Sequence, residues 1–285
     1  SKVVFDTSNL ETPAKYASAV FDSNSNKVVI AYYDAGNSNY GTAIVGTVSG
    51  TNISFGSAAV FESASTTFIS AAFDSNSNKV VIAYNDGGNS QYGTAIVATL
   101  SGNSISFGTP VVFSSAQSIG ISASFDSNSN KVVVFFNDQS NDNGIGIVGT
   151  VSGTTISFGS STNFTTTNPT LMHSIFDSTN NKLVIIYRDN DNSGHGYSVV
   201  GTVSGTNVSF GTPVRYTSVA RASVPRESIT FDSNANKVVI SFRGTSGYGN
   251  AVVGTVSGTG ISYGSDVVFE GSSITWNSII FDSRF

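Results

Sequence analysis

The chain has 285 residues, of which 39% are hydrophobic and only 11% charged, with a formal net charge of −5 and a pI near 4.8. Thirteen Lys and Arg spread along the chain leave no basic stripe to neutralise phosphates, which argues against a nucleic-acid partner. No apolar run approaches the roughly 20 residues that span a bilayer, and zero Cys excludes disulfides, thiolate metal sites and Cys nucleophiles.

Residues 1–15 read as the tail of a missing repeat, because Val3-Val4-Phe5 resembles Val111-Val112-Phe113 and Val267-Val268-Phe269. Pro13 and its polar neighbours then read as a connection. The marker "FDSN" follows at Phe21, and close variants stand at Phe73, Phe125, Phe176, Phe231 and Phe281, at intervals of 52, 52, 51, 55 and 50 residues. A fixed period of this size means one supersecondary unit per repeat, which cannot bury its apolar face alone.

One repeat resolves into four predicted strands. Strand A is roughly Ile69–Asp74, B is Lys79–Asn85, C is Thr94–Leu100, and D is Ser104–Phe113 with Gly108 as a bulge or bend. "SNSN" between A and B and "SGN" between C and D are tight polar turns in which Asn and Gly tolerate positive φ. The D-to-A link, Ser114–Gly120, is longer and forms the step to the next unit. Abundant Gly, Ser, Thr and Asn fit short strands joined by such turns.

The expected fold class is all-β. Four antiparallel strands with Val, Ile and Phe on both faces need a sheet packed on each side, and radial stacking into a β-propeller supplies it, with A innermost and D outermost. A linear array of sheets ranks below it because its end faces would be exposed. Five B, C and D strands are complete, with one surplus A strand and a D-like stub near Val3. Five blades in one domain over 1–285 is therefore the first expectation and six blades the second.

The stretch "FDSNSNKVVIAYYDAGNSNYGTAIVGTVSGTNISFGSAAVFES" resembles the tandem repeats of long surface or tail-fibre-like proteins of marine bacteria and their phages. The resemblance covers the whole chain, carries no catalytic motif, and implies neighbouring repeats in a longer parent chain. The plan of five similar units also resembles the tachylectin-type lectins in architecture, without their sequence motifs.

Antiparallel strands put the A–B and C–D turns at one end and the B–C loops and D–A links at the other. The first end is nearly uniform between repeats, and the second varies in residue type and length. Ligand contacts are expected on that variable face. Marker acids such as Asp74 precede Ser and Asn, the setting of an Asx-turn. Asp34, Asp86, Asp138 and Asp189 open B–C loops; Asp189 with Asp191 is the one run with a spacing that suits Ca²⁺, although no bidentate Glu follows.

Three positions per repeat carry the ligand candidates. Five residues before the marker Phe stand Phe68, Gly120, Leu171 and Trp276 among others. Six after the marker Lys stand Asn85, Arg188 and Arg243. Before the loop Gly stand Tyr92, His195 and Tyr248. Aromatic faces beside Asn, Arg and His donors suit sugars, which offer C–H faces and hydroxyls; packing between blades accounts for the same residues equally well.

His173 replaces a recurring Ser on the innermost strand and reads as a channel histidine. Glu227 is the only unique acid on an inner strand, too few for a glycoside hydrolase. The expected role is a non-enzymatic glycan- or receptor-binding module without a cofactor, and a purely structural spacer is the alternative. Low Lys with high Asn, Ser and Thr points to an extracellular or virion surface.

Overall fold

The computed structural model describes residues 17–217, 227–275 and 277–283. The protein is an all-β propeller whose repeats each fold into a four-stranded antiparallel blade. In the second blade, B is Lys79–Asp86, C is Tyr92–Ser101 and D starts as Ser104–Phe107. The other B strands are Lys27–Asp34, Lys131–Asp138, Lys182–Asp189 and Lys237–Arg243, which gives five complete blades among the described residues.

The links into blades 2 and 3 are strand where a loop was expected. Val111–Asp126 is continuous: Gln117 faces Tyr92 of strand C in blade 2, and Ser118 faces Asp138 of strand B in blade 3. Crossing between two sheets as a strand satisfies backbone groups that a loop at this junction would leave unpaired. The unit boundary is a bulge, marked by positive φ at Phe68 (51°), Gly120 (61°) and Leu171 (55°). Ahead of blade 4 the strand is interrupted at Pro169, which has no amide to donate.

The valine-rich B strands explain the architecture, because alternate side chains point to opposite faces. Val81 and Ala83 of blade 2 pack on Val132, Val134 and Phe136 of blade 3, while Val80, Ile82 and Tyr84 pack on Val29 and Ala31 of blade 1. Two further clusters join blades 3 and 4 around Phe135 and Ile185, and blades 4 and 5 around Ile186 and Ile240.

The A strands form the inner ring, and hydrogen bonds join neighbours along it. The Ser18 hydroxyl accepts from the Ala71 amide at 3.0 Å, Ser70 accepts from Ala123 at 3.0 Å, and Ser228 accepts from Ile279 at 3.1 Å. Between blades 3 and 4 the Ser122 and Ser174 hydroxyls pair at 2.9 Å. The serine three residues before the marker Phe is therefore a stitch between blades at Ser18, Ser70, Ser122 and Ser228. His173 takes that place in blade 4 and stays exposed.

The marker Asp is the cap of the A–B turn. Asp74 Oδ1 accepts the amides of Asn76 and Ser77 at 2.9 and 3.0 Å, and Oδ2 accepts the Ser77 hydroxyl at 2.7 Å. Asn26, Asn78, Asn130, Asn181 and Asn236 end these turns with φ of 52–55°, a conformation Asn tolerates better than most residues. The marker lysine of blade 1 is more than a solvated residue: its ammonium donates to Thr47 at 2.7 Å and to Asn103 of blade 2 at 3.0 Å.

Asp74 is 2% exposed and caps two part-buried amides with a charged oxygen, so Asp74→Ala is expected to cost about 2–3 kcal/mol. Asp232 is half-buried and lacks the hydroxyl donor, because Ala235 stands where Ser77 does. Asp232→Ala is expected to cost about 1 kcal/mol. Denaturant midpoints of the two variants against the parent chain check the order, and equal values would refute the capping account.

Candidate functional site

At the variable end, each junction between blades is floored by a pair of aromatic rings. The last apolar residue of strand D meets the ring in strand B of the next blade: Phe61 with Tyr84 at 5.2 Å, Phe113 with Phe136 at 5.0 Å, Phe164 with Tyr187 at 5.3 Å and Tyr216 with Phe242 at 5.8 Å. Four junctions thus share one floor, and the loops above it differ.

The junction of blades 2 and 3 opens into a cleft of about 640 Å³, walled by Tyr92, Gln117, Phe136, Asp138 and Gln139 over Phe113. Asp138 Oδ1 accepts both the amide and the hydroxyl of Ser140, which leaves Oδ2 without a partner among the described residues. Gln117 Nε2 donates to Gln91 Oε1 at 2.7 Å, and Gln139 Nε2 donates to Asn137 Oδ1 at 3.1 Å. The carbonyl oxygens of Gln117 and Gln139 are therefore spare acceptors. A half-buried Tyr face beside fixed acceptors, in a space of this size, can hold a small polar molecule with one apolar face.

The junction of blades 1 and 2 has a different character. Glu62 accepts the Tyr84 hydroxyl at 3.3 Å. Burial first, and the Asp86 charge second, hold the Glu62 carboxyl above the ordinary carboxylate range. Burial raises the Tyr84 phenol well above its usual value, reinforced by Glu62.

The predicted residues fall at equivalent corners of several junctions, so they make several sites and not one. Tyr92 walls the cleft. His195 is its counterpart in blade 4, with Nδ1 at 2.7 Å from the Asn192 carbonyl. Tyr248, the counterpart in blade 5, is 39% exposed beside the turn Thr245–Gly247.

Asn85 lies inside the protein. Its amide donates to the carbonyls of Gln91 and Ser118, both at 2.9 Å, and its Oδ1 accepts from Thr67 at 3.2 Å. It clasps the B–C loop to the crossing strand and presents nothing to a ligand. Arg188 and Arg243 take the same position in blades 4 and 5. Each keeps a buried Nε without a hydrogen-bond partner among the described residues, while Arg243 Nη2 donates to Ser273 at 3.2 Å. Trp276 lies outside the described residues. Its described counterparts are the bulge positions Phe68, Gly120 and Leu171, and Phe68 packs against the core between blades 2 and 3.

Asp189 Oδ1 accepts the amides of Asp191 and Asn192 at 3.1 and 3.2 Å, and Asp191 Oδ2 accepts the Asn168 amide at 3.1 Å. These carboxylates cap loops. No group of three or more His, Asp or Glu suited to a metal occurs among the described residues. Glu227 is buried, and its carboxylate accepts the Tyr216 hydroxyl.

Sequence reasoning missed the glutamines, although a compositional signal was present. The chain has three, Gln91, Gln117 and Gln139, and all gather at this one junction from two loops and a crossing strand.

No family model and no curated protein matches the chain. Solved structures that resemble it are propellers at low sequence identity, which establishes the fold. A protein of Bacteroides uniformis assigned as a 6-phosphogluconolactonase superposes with a TM-score of 0.62 at 12% identity, over 87% of this chain and 70% of that one. The six-bladed fucose-recognising lectin of Aleuria aurantia superposes at 0.52 and 13%, over 92% and 80%. The lectin SapL1 in complex with α-methyl fucoside gives 0.51 and 13%, over 93% and 84%.

A raised carboxyl pKa favours the protonated folded state, so its contribution is complete at low pH and is lost as pH rises through the folded value. Glu62→Gln is therefore expected to raise Tm near pH 7 and to leave it unchanged at about pH 4, where the parent carboxyl is protonated. Thermal scans of both chains across that range test the assignment; a constant offset would overturn it.

Proposed function

We propose that the protein is a non-enzymatic carbohydrate-binding propeller that presents shallow glycan sites at the blade junctions of its variable end, on an extracellular or virion surface. One observation carries the reading: the cleft of blades 2 and 3 is lined by Tyr92, Asp138, Gln117 and Gln139, and Asp138 Oδ2 and the two glutamine side-chain carbonyls have no partner among the described residues. A pyranose matches that set, with a C–H face for the ring and hydroxyls as donors. Lectins among the similar propellers support the class of ligand. Because the junctions repeat, several weak sites on one rigid body would gain avidity on a surface dense with sugar.

A hydrolase is the second reading, and Glu62 favours it. A carboxyl held above the ordinary carboxylate range by burial and by Asp86 resembles the acid half of a glycosidase pair. Asp86 Oδ1 already accepts the Gly88 amide at 2.9 Å, and Glu62 is bonded to the Tyr84 hydroxyl, so both groups have structural employment.

Tyr92→Ala and Gln139→Ala are each expected to weaken binding to the best ligand on a glycan array about 5- to 30-fold, equivalent to roughly 1–2 kcal/mol, with Tm retained. Thr154→Ala, in a C–D turn at the opposite end, is expected to leave binding intact. Equal loss from Thr154→Ala, or no bound glycan at all, would overturn the proposal. Release of sugar from an array hit by the parent chain, abolished in Glu62→Gln, would establish the hydrolase instead.

A further inference from the structure

We propose that the ring has six blade positions, that this chain fills five, and that the sixth accepts a polypeptide carrying strands B, C and D of this same repeat, built onto the inner segment that residues 277–283 already provide.

Three independent features define the vacant position. The first is the inner ring. The Ile279 amide donates to the Ser228 hydroxyl at 3.1 Å, the bond by which Ala71 and Ala123 join their preceding blades. Residues 277–283 thus stand where strand A of the next blade stands, ending in the marker Phe281-Asp282-Ser283, yet the described residues place no B strand beside them.

The second is a contact that every other blade makes. Gly56, Gly108, Gly159 and Gly211 bend strand D so closely under the following blade that a Cβ there would strike the backbone carbonyls of Asn103, Thr154, Thr206 and Thr259, each in the next C–D turn. Gly264 is the same residue of blade 5, and nothing described lies within 4 Å of its would-be Cβ. Its glycine suits a C–D turn of the same kind.

The third is apolar surface of matching register. Among the described residues four hydrophobic clusters join five blades, and none joins the fifth to the first. Val80 and Ile82 are fully buried, but their blade 1 equivalents Val28 and Ile30 are only half-buried, and Phe21 is 54% exposed. On blade 5, Val253 is 47% exposed, although its equivalents Val45 and Val97 are completely buried. Blade 5 therefore presents the face that elsewhere receives a Val132-Val134-Phe136 surface, and blade 1 the face that elsewhere receives a Val133-Phe135 surface. One B strand of this repeat offers both at once.

The test extends the full chain by joining a second copy of the Asn128–Thr165 sequence after Ser283, in phase with the marker. The extended chain is expected to gain on the order of 5 °C in Tm and to lose most of the parent's binding of a hydrophobic dye. An extension whose copies of Val132, Val134 and Phe136 are Asn is expected to give neither. Val253→Asp, on an open face, is expected to leave the parent Tm unchanged and to cancel the gain from extension. No gain from the intact extension, the same gain from the Asn-bearing one, or a large loss of Tm from Val253→Asp in the parent would each overturn the proposal. Glycan binding by Tyr92 and Gln139 is read separately and does not enter the outcome.

Discussion

Burial of strand B on both faces is the constraint from which the rest follows. A strand whose even and odd side chains are all aliphatic cannot rest with one side in water, so each sheet needs two neighbours. Val81 faces forward and Val80 backward, and both are fully buried only because blades 1 and 3 flank blade 2. Once sheets stack this way, strand A is carried to the axis and bonded to the next strand A through a recurring serine. Strand D is carried to the rim, where it must cross to reach the next inner position. The crossing strand spans the junction, and that is why the junction has a floor of paired rings with side chains of two blades around it.

The contrast between the two ends has a physical basis in the same geometry. At the turn end, backbone meets backbone: a capped Asx-turn, an Asn with positive φ, and a glycine pressed under a neighbouring carbonyl leave little room for other residues. At the loop end, the shared parts are the aromatic pair and, in four blades, an Asp that opens the loop, and the side chains around them vary from junction to junction. Between blades the corner changes from Asn85 to Arg188 and from Tyr92 to His195 while the strand pairing is retained. A scaffold of this kind allows each junction its own surface, from the acidic pair of Glu62 and Asp86 to the glutamine-lined cleft one blade further on.

Residue type alone misjudged Asn85 for one reason: a polar side chain near a loop can serve the ligand or the backbone, and only the location of unpaired carbonyls and amides decides. The carbonyls of Gln91 and Ser118 claim Asn85, and the amides of Asp191, Asn192 and Asn168 claim the carboxylates of Asp189 and Asp191. Tyr92 was legible as a surface aromatic at the variable end, because its place before the loop glycine recurs in every unit. Its partners Gln117, Asp138 and Gln139 come from a crossing strand and from the next blade, and no local pattern joins them.

The period, the four strands per unit, the capped turns and the two-faced B strand were all determined by the sequence, since each is a local property of backbone preference and side-chain alternation. The conversion of the D–A link into strand, the serine stitches of the inner ring and the cleft of blades 2 and 3 were decided by tertiary structure alone. They depend on which edge of one sheet meets which residue of the next, a relation between chain segments 20 to 50 residues apart that alternation within either segment does not encode.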